Sequence, residues 1–564
     1  MHCALHNSVT RVNAPDGGRF SGLSGANIIM GKASKQKQPG TVATEPEAPV
    51  PTATESDSAS KFLERTGNLI PAWLRLPLCL AIVLTIGICM YFVGRGEPPY
   101  PFWDENYHLT SAQRYIDRQA QLEPHPPLGL LLIAAGEVLS GENQGIDKSV
   151  MVHVKYIDGD KMPANFSFSG MRLMPGLFGA FGALLFFMLV LEITENKLSA
   201  LLFSSLYLFE NAWIVHFRAV HLDSFQMFFC LAAIWVFLRQ WKRSTPVPWL
   251  QYAWIGVLCG AAILVKVNAV VLLVMYPILY FKDQGTWQCR GVLAHIEHFC
   301  LKAGVSVAGL VVIAYAVFTV HGIVGNHPGN PADPATQNDL QFMSQPYKDY
   351  LNGTGSLSPL TVFAIARDYY AYMDNDHKGV PKLEVCKPGE NGSAPRVWPL
   401  MEKTINYRWD SADGFTKYVQ LVGNGFGWYL GLAALIFSFL AIANRRLFRI
   451  WVGDKETYAL IEVFAALYVV FMVLHMYLGA QRVMYLYHYF IGLLYSYILI
   501  VLNWRYFCRM HNLSLSRRTL VAGIIALCLL VSGLFYLPLS NHWKLNKSQC
   551  EQRNLLSTIV ECQG

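Results

Sequence analysis

Residues 76–93 read LPLCLAIVLTIGICMYFV, and shortly beyond them the chain reaches Pro101-Phe102-Trp103-Asp104-Glu105-Asn106-Tyr107. An uncharged apolar run of this length crosses about 30 Å of hydrocarbon as a helix. Lys61, Arg65 and Arg75 precede it, which holds its amino-terminal side in the cytoplasm and delivers the two adjacent acids to the outer surface. Glu97-Pro98-Pro99-Tyr100-Pro101 forms a stiff lead-in that keeps Asp104 and Glu105 close to the membrane exit.

The rest of the chain agrees with a membrane setting. Of 564 residues 53% are hydrophobic, 13% aromatic and only 15% charged, with a mean hydropathy of +0.29. That composition belongs to a polytopic membrane protein of all-α class. The formal charge of +7 implies no nucleic-acid partner, because Lys and Arg sit mainly in short loops between apolar runs, where they set topology. Residues 1–60 hold no apolar core of signal-peptide length and turn rich in Pro, Ala, Thr, Ser and Gly, as a disordered cytoplasmic tail does.

Counting apolar runs of helical spanning length gives about eleven, near 76–93, 171–191, 198–215, 222–238, 250–264, 267–281, 301–320, 426–443, 458–477, 485–502 and 520–537. The fifth and sixth are nearly continuous. An odd count puts the carboxyl terminus outside. It also assigns Arg239-Lys242-Arg243, Arg445-Arg446-Arg449 and Arg505-Arg509-Arg517-Arg518 to the cytoplasm, in agreement with the positive-inside rule. The organisation expected is a tail, 1–60; an amino-terminal transmembrane module with a catalytic first loop, 61–320; an outer loop, 321–418; a four-span module, 419–540; and an outer tail, 541–564. Chemistry is expected in the outer loops, 95–169 and 321–418. Within the first, residues 128–139 are apolar but too short to span, and Pro126-Pro127 suits a first helical turn, so an interfacial or re-entrant helix is expected.

Several ordered motifs now come together: Asp104-Glu105; His125-Pro126-Pro127-Leu128-Gly129 with Ile133-Ala134-Ala135-Gly136-Glu137 behind it; Arg218 before Leu222-Asp223-Ser224; Trp398-Pro399-Leu400 and Leu421-Val422-Gly423-Asn424; and Arg482 with Tyr485-Leu486-Tyr487-His488-Tyr489. In that order they resemble the protein O-mannosyltransferase family over nearly all of 76–537. The resemblance implies a GT-C-type glycosyltransferase fold. It also implies transfer of mannose from a polyprenyl (dolichyl) phosphate mannose donor to Ser/Thr hydroxyls of secretory or membrane proteins, with inversion. The chain departs from the pattern at Leu130, where the family usually has Lys, and at Gly425, where it has Pro. The outer loop is too short to hold the family's β-trefoil domain as well, so the chain resembles a compact form.

Residue chemistry supports such a step. A Ser or Thr hydroxyl is a weak nucleophile, so a carboxylate must accept its proton as the sugar bond forms. Asp104 is assigned that role, with Glu105 as its catalytic neighbour. Charge growing on the departing lipid phosphate calls for fixed cations. His125, Arg172, Arg218, Lys266 and Arg482 are the candidates, with Asp223 and His488 beside them, since the planar fork of Arg matches phosphate oxygens. Blander readings stand next to these. The acid pair could cap a helix, and His125-Pro126-Pro127 could simply start one. Arg172 and Arg482 could anchor span ends by snorkelling. Arg218 and Asp223 could pair with each other, Lys266 could mark a turn, and His488 could be a packing residue.

No cofactor is firmly expected. Asp104, Glu105 and His108 offer hard donors for a divalent cation, as a second reading. Cys550 and Cys562 share the outer tail and are a candidate disulfide, which leaves Cys386 unpaired. Asn165, Asn352, Asn391 and Asn546 begin N-glycosylation sequons. The expected partners are the lipid-linked sugar, a Ser/Thr-containing polypeptide, the bilayer, and a homo- or hetero-dimer partner or the translocon. The expected location is the endoplasmic reticulum membrane in a eukaryote or the inner membrane in a bacterium, with the site on the outer side. Two alternatives remain open from the sequence: a polyprenyl-phosphate-sugar transferase acting on a lipid or glycan, and a non-enzymatic transporter. The second is disfavoured because the polar residues gather on one side.

Overall fold

The computed structural model describes residues 71–283, 291–448, 453–555, 560 and 562. The tail read as disordered, 1–60, lies outside them. Every segment read as a span is helical, and the protein is a multi-pass integral membrane protein. Among the described residues, seven helices are long and apolar enough to cross a bilayer: Ala72–Phe92, Leu173–Thr194, Val292–Val324, Gly425–Arg446, Lys455–Gly479, Leu486–Met510 and Leu515–Ser540. The segment at 198–215 is a pair of helices, Lys197–Leu208 and Asn211–Phe217, bent by 63°, which makes eight if it counts as one broken span. The remaining three apolar segments are the helices Asp223–Trp241, Trp249–Ile263 and Val267–Lys282, the last two shorter than a full span.

Burial separates centre from rim. In Leu486–Met510, 89% of the apolar window is buried within the protein, against 11% in Ala72–Phe92, so the former is the core of the bundle and the latter lies at its rim. The 22-residue helix Leu173–Thr194 is about 33 Å long at ~1.5 Å per residue, matching the hydrocarbon thickness. At its start Arg172 meets Glu105. At its end Glu195 binds Lys242 at 2.8 Å and Arg505 at 3.1 Å. The acidic motif and two of the basic clusters therefore lie at opposite ends of one span, as the topology argument requires.

Two local features aim residues at the acidic end. The nearly continuous fifth and sixth apolar runs are divided at residues 264–266, where Lys266 is extended (φ −146°, ψ 130°) before a 3-10 turn, Val267–Val274. The helix Pro127–Ser140 starts on Pro127 and stops at Gly141 in the left-handed region (φ 65°), as Pro at a start and Gly past an end dictate. A Cβ on its Gly129 would lie 2.8 Å from the Leu222 side chain and 3.3 Å from that of Val265. This close approach sets His125 beside residues 222–223 and 265–266.

The second outer loop contains the helices Pro334–Leu340, Gln345–Leu351 and Pro359–Gly379, then strands β1 (Ile405–Ala412) and β2 (Phe415–Leu421). The hairpin turns on Asp413 and Gly414, both at positive φ (53° and 74°), as a two-residue turn matching strand twist requires. A bulge lies between Asn406 and Arg408. β3 (Lys544–Leu545) pairs with β2 and returns the tail to the sheet. Buried charge seats this loop on the first one: Asp339 receives Arg114 and Lys155, each at 2.6 Å. Cys550 and Cys562 are disulfide-bonded, as the sequence suggested. Cys386, expected to be left over, is disulfide-bonded too.

Candidate active site

Trp103 sits in the left-handed region (φ 54°), unusual for a bulky residue, and this reversal starts the helix Glu105–Ile116 with Asp104 at its N-cap position. The two acids then part company. Glu105 is wholly buried. It accepts from Arg172 Nε at 2.7 Å and Nη2 at 2.8 Å, from the Val220 amide at 2.7 Å and from the Phe102 amide at 3.1 Å. Arg172, also buried, spends its other donors on the carbonyls of Arg95, Pro98 and Tyr100, at 3.2, 2.8 and 3.0 Å. Neither group presents an unused polar atom to a substrate. Glu105 and Arg172, expected in catalytic and phosphate-binding roles, form a clamp that fixes the loop before Asp104.

Asp104 stays half-buried, and the one hydrogen bond to its carboxylate among the described residues comes from Tyr487 Oη, at 3.4 Å. Aromatic rings wall the space around it. The Trp103 ring lies 5.0 Å from that of Tyr407 and 5.3 Å from that of Tyr485.

A second buried network stands opposite. Asp223 Oδ2 receives Lys266 Nζ at 2.7 Å and His216 Nε2 at 2.8 Å, and His216 Nδ1 lies 2.9 Å from Tyr407 Oη. Lys266 Nζ lies 5.2 Å over the Tyr487 ring, the same ring whose hydroxyl reaches Asp104. The pairing of Arg218 with Asp223 is not formed. Arg218 instead donates to the carbonyls of Val93 and Gly94, at 3.0 and 2.8 Å, closing the end of the first span.

Arg482, half-buried in the link after Lys455–Gly479, makes no ion pair, and its Nε has no partner among the described residues. Burial pulls its pKa down, while Tyr487, Asp376 and Tyr485 counter that pull. A guanidinium so placed is charged at any physiological pH. His125 lies with its ring 6.2 Å from that of His108. Burial, then Lys266, His108 and His377, hold its pKa well below the ordinary value. It is therefore a neutral hydrogen-bonding group, not one of the fixed cations. His488 is held by packing: its ring stacks on Tyr487 at 4.5 Å and on Trp398 at 6.4 Å, and Nδ1 accepts from the Tyr485 amide at 3.1 Å.

The donors proposed for a divalent cation do not converge. Glu105 is turned to Arg172, and His108 Nδ1 lies 2.6 Å from the Val220 carbonyl. No group of three His, Cys, Asp or Glu suited to a metal occurs among the described residues. Sequence reasoning passed over His216, His221 and Tyr407. His216 carried a signal, an ionisable side chain inside an apolar run. Tyr407 carried none, because only the hairpin brings it here.

Two family profiles match the chain: "Dolichyl-phosphate-mannose-protein mannosyltransferase" over residues 81–324, and "C-terminal four TMM region of protein-O-mannosyltransferase" over residues 376–559. The chain belongs to the protein O-mannosyltransferase family. Among relatives in this family, Protein O-mannosyl-transferase 2 of Danio rerio is 26% identical over 369 residues, 61% of this chain and 46% of that protein. Dolichyl-phosphate-mannose--protein mannosyltransferase 3 of Saccharomyces cerevisiae is 25% identical over 238 residues, 41% of this chain and 30% of that protein. The chain thus spans less than half the length of these relatives. The family fold is also seen in the S. cerevisiae Pmt1-Pmt2 complex bound to the sugar donor, with a TM-score of 0.68, 13% identity, and coverage of 87% of this chain and 93% of that one.

Proposed function

We propose that this protein transfers mannose from polyprenyl (dolichyl) phosphate mannose to Ser or Thr hydroxyls of proteins. The observation that carries the reading is that Asp104, an acid with no ion-pair partner among the described residues, shares one wall of aromatic rings with Lys266 and Arg482, all three adjoining Tyr487. The acceptor hydroxyl gives its proton to Asp104 as its oxygen attacks the anomeric carbon. The bond from that carbon to the phosphate oxygen breaks, and the lipid phosphate leaves with one more negative charge. Lys266 and Arg482 stabilise the departing group more than the ground state, which is what lowers the barrier. A single displacement inverts the sugar carbon.

His125 serves as a neutral hydrogen-bonding group, and Glu105, Arg172, Arg218 and Asp223 as positioning residues; His488 packs the wall behind Tyr487. The acidic end of the bundle faces the lumen or periplasm, where a lipid-linked sugar and an emerging polypeptide both arrive. The yeast relative of known structure is a complex of two different subunits, and a partner subunit is part of this proposal.

The test uses membranes containing the full chain, polyprenyl-phosphate-mannose with labelled sugar, and a Ser/Thr-rich peptide. Asp104→Asn, nearly the same size, should lower transfer by roughly 10²–10⁴-fold with the protein still folded. Undiminished transfer by that variant would end the base assignment. Label appearing only on lipid or glycan would move the reading to the alternative acceptor class.

A further inference from the structure

Tyr407, His216 and His221 bring polar atoms to the wall beside Asp104 and are not used by the transfer step above. His216 bridges Asp223 and Tyr407 through its two ring nitrogens, at 2.8 and 2.9 Å. In the neutral imidazole, because a carboxylate paired with a lysine only accepts, His216 Nε2 carries the proton and Nδ1 presents its lone pair. Tyr407 must then donate its single proton to His216. What its oxygen has left is acceptor capacity alone. Asp104 adds to burial in raising the Tyr407 pKa, which puts the two in electrostatic contact.

His221 is 1% exposed, and neither of its ring nitrogens has a hydrogen-bond partner among the described residues. Its ring lies 4.0 Å from that of His216 and 6.1 Å from that of Tyr407. Burial, then His216 and His108, keep it neutral, so it holds one donor and one acceptor with nothing bound to either. Buried polar atoms are rarely left so, and those that are ask for an explanation in function. Phe102 and Trp103 add flat apolar faces, their rings 5.9 and 5.0 Å from Tyr407. Aromatic plates with a few placed donors and acceptors suit a pyranose, whose C–H face is apolar and whose rim is hydroxyl.

We propose that Tyr407 and His221 are the hexose-recognising groups of this site: Tyr407 accepts a hydrogen bond from one sugar hydroxyl, and His221 bonds a neighbouring one. Asp223 and His216 are positioning residues that hold Tyr407 as an obligate acceptor. The assignment rests on the sugar-transfer reading above and adds to it which side chains choose the sugar.

The experiment compares kcat/KM for polyprenyl-phosphate-mannose and for donors lacking a single hydroxyl at positions 2, 3, 4 or 6, with one Ser/Thr peptide. Wild type should reject at least one deoxy donor by about ten-fold or more, since a site built around a hydroxyl is left unpaired without it. Tyr407→Phe should raise KM for the mannose donor and abolish discrimination against one deoxy donor while sparing the rest. His221→Phe should do the same for a different position. His216→Leu should copy Tyr407→Phe, and His216→Gln, whose amide oxygen still accepts from Tyr407, should restore the discrimination. Equal losses with every donor would mean a structural role and overturn the proposal, as would unchanged selectivity in Tyr407→Phe. A wild-type protein inert towards every mannosyl donor would instead remove the transfer reading itself, before any variant is compared.

Discussion

Replacing Glu105 with Gln separates the two roles an acid beside Asp104 can have. The carboxylate is wholly buried, its ion-pair partner Arg172 is 1% exposed, and the two share bonds of 2.7 and 2.8 Å. Glu105→Gln keeps the shape and removes the charge, so a buried guanidinium is left without its counter-ion. Breaking one side of such a pair costs about 3–5 kcal/mol, against a few tenths for an exposed pair. The Val220 amide would still find the amide oxygen, which sets the expected loss near the lower end, about 3 kcal/mol. Thermal unfolding of the purified protein can be followed by a thiol-reactive dye, because Cys230 and Cys259 are buried and reduced and become reactive only on unfolding. Glu105→Gln and Arg172→Met should each unfold at clearly lower temperature. The double variant Glu105→Leu with Arg172→Met should recover part of the loss, since removing both charges leaves neither unpaired. At a temperature where Glu105→Gln is folded, its transfer activity should fall far less than that of Asp104→Asn. A variant of unchanged thermal stability with abolished transfer would refute the clamp and return Glu105 to the chemistry.

Arg482 should behave in the opposite way. It has no ion-pair partner to lose among the described residues, so Arg482→Leu should leave stability unchanged or raise it, while KM for the lipid-linked donor rises about ten-fold or more, as expected for a lost charge-assisted contact; a destabilised variant with normal KM would contradict this. The pH response of stability should also be one-sided. His125, His221 and His377 all have folded pKa values below the ordinary 6.5, each chiefly through burial. The unfolded chain therefore binds protons first as pH falls, so stability is present above about 6.5 and is lost as pH drops through and below it. Unfolding temperatures measured from pH 7.5 down to 5.5 should fall steadily, with a shallower slope in His221→Phe; a flat profile would show that these rings are solvated.

The acid pair shows how far the sequence reaches. That Asp104 and Glu105 stand at a membrane exit follows from a run of apolar residues and the basic residues before it. Which of the two faces a substrate does not, because side chains at adjacent positions of a helix start point in different directions, and the partner that claims one of them is distant in sequence. Proximity along the chain leaves a pairing of Arg218 with Asp223 open as an alternative to their contact with substrate. The break at 264–266 brings Lys266 to Asp223, and Arg218 turns to the carbonyls that end the first span.

Composition and period alone determined that this chain is a helical, multi-pass membrane protein with its acids and basic clusters at opposite ends of the bundle. Transfer from water to hydrocarbon is a property of each segment, and every spanning helix satisfies its own backbone. Motif order was enough for the family as well. Tertiary structure decided which ionisable groups meet one another. Glu105 with Arg172 and Asp223 with Lys266 are matched by burial and distance between segments far apart in sequence, as is Tyr407 with His216, and no local pattern encodes such a meeting.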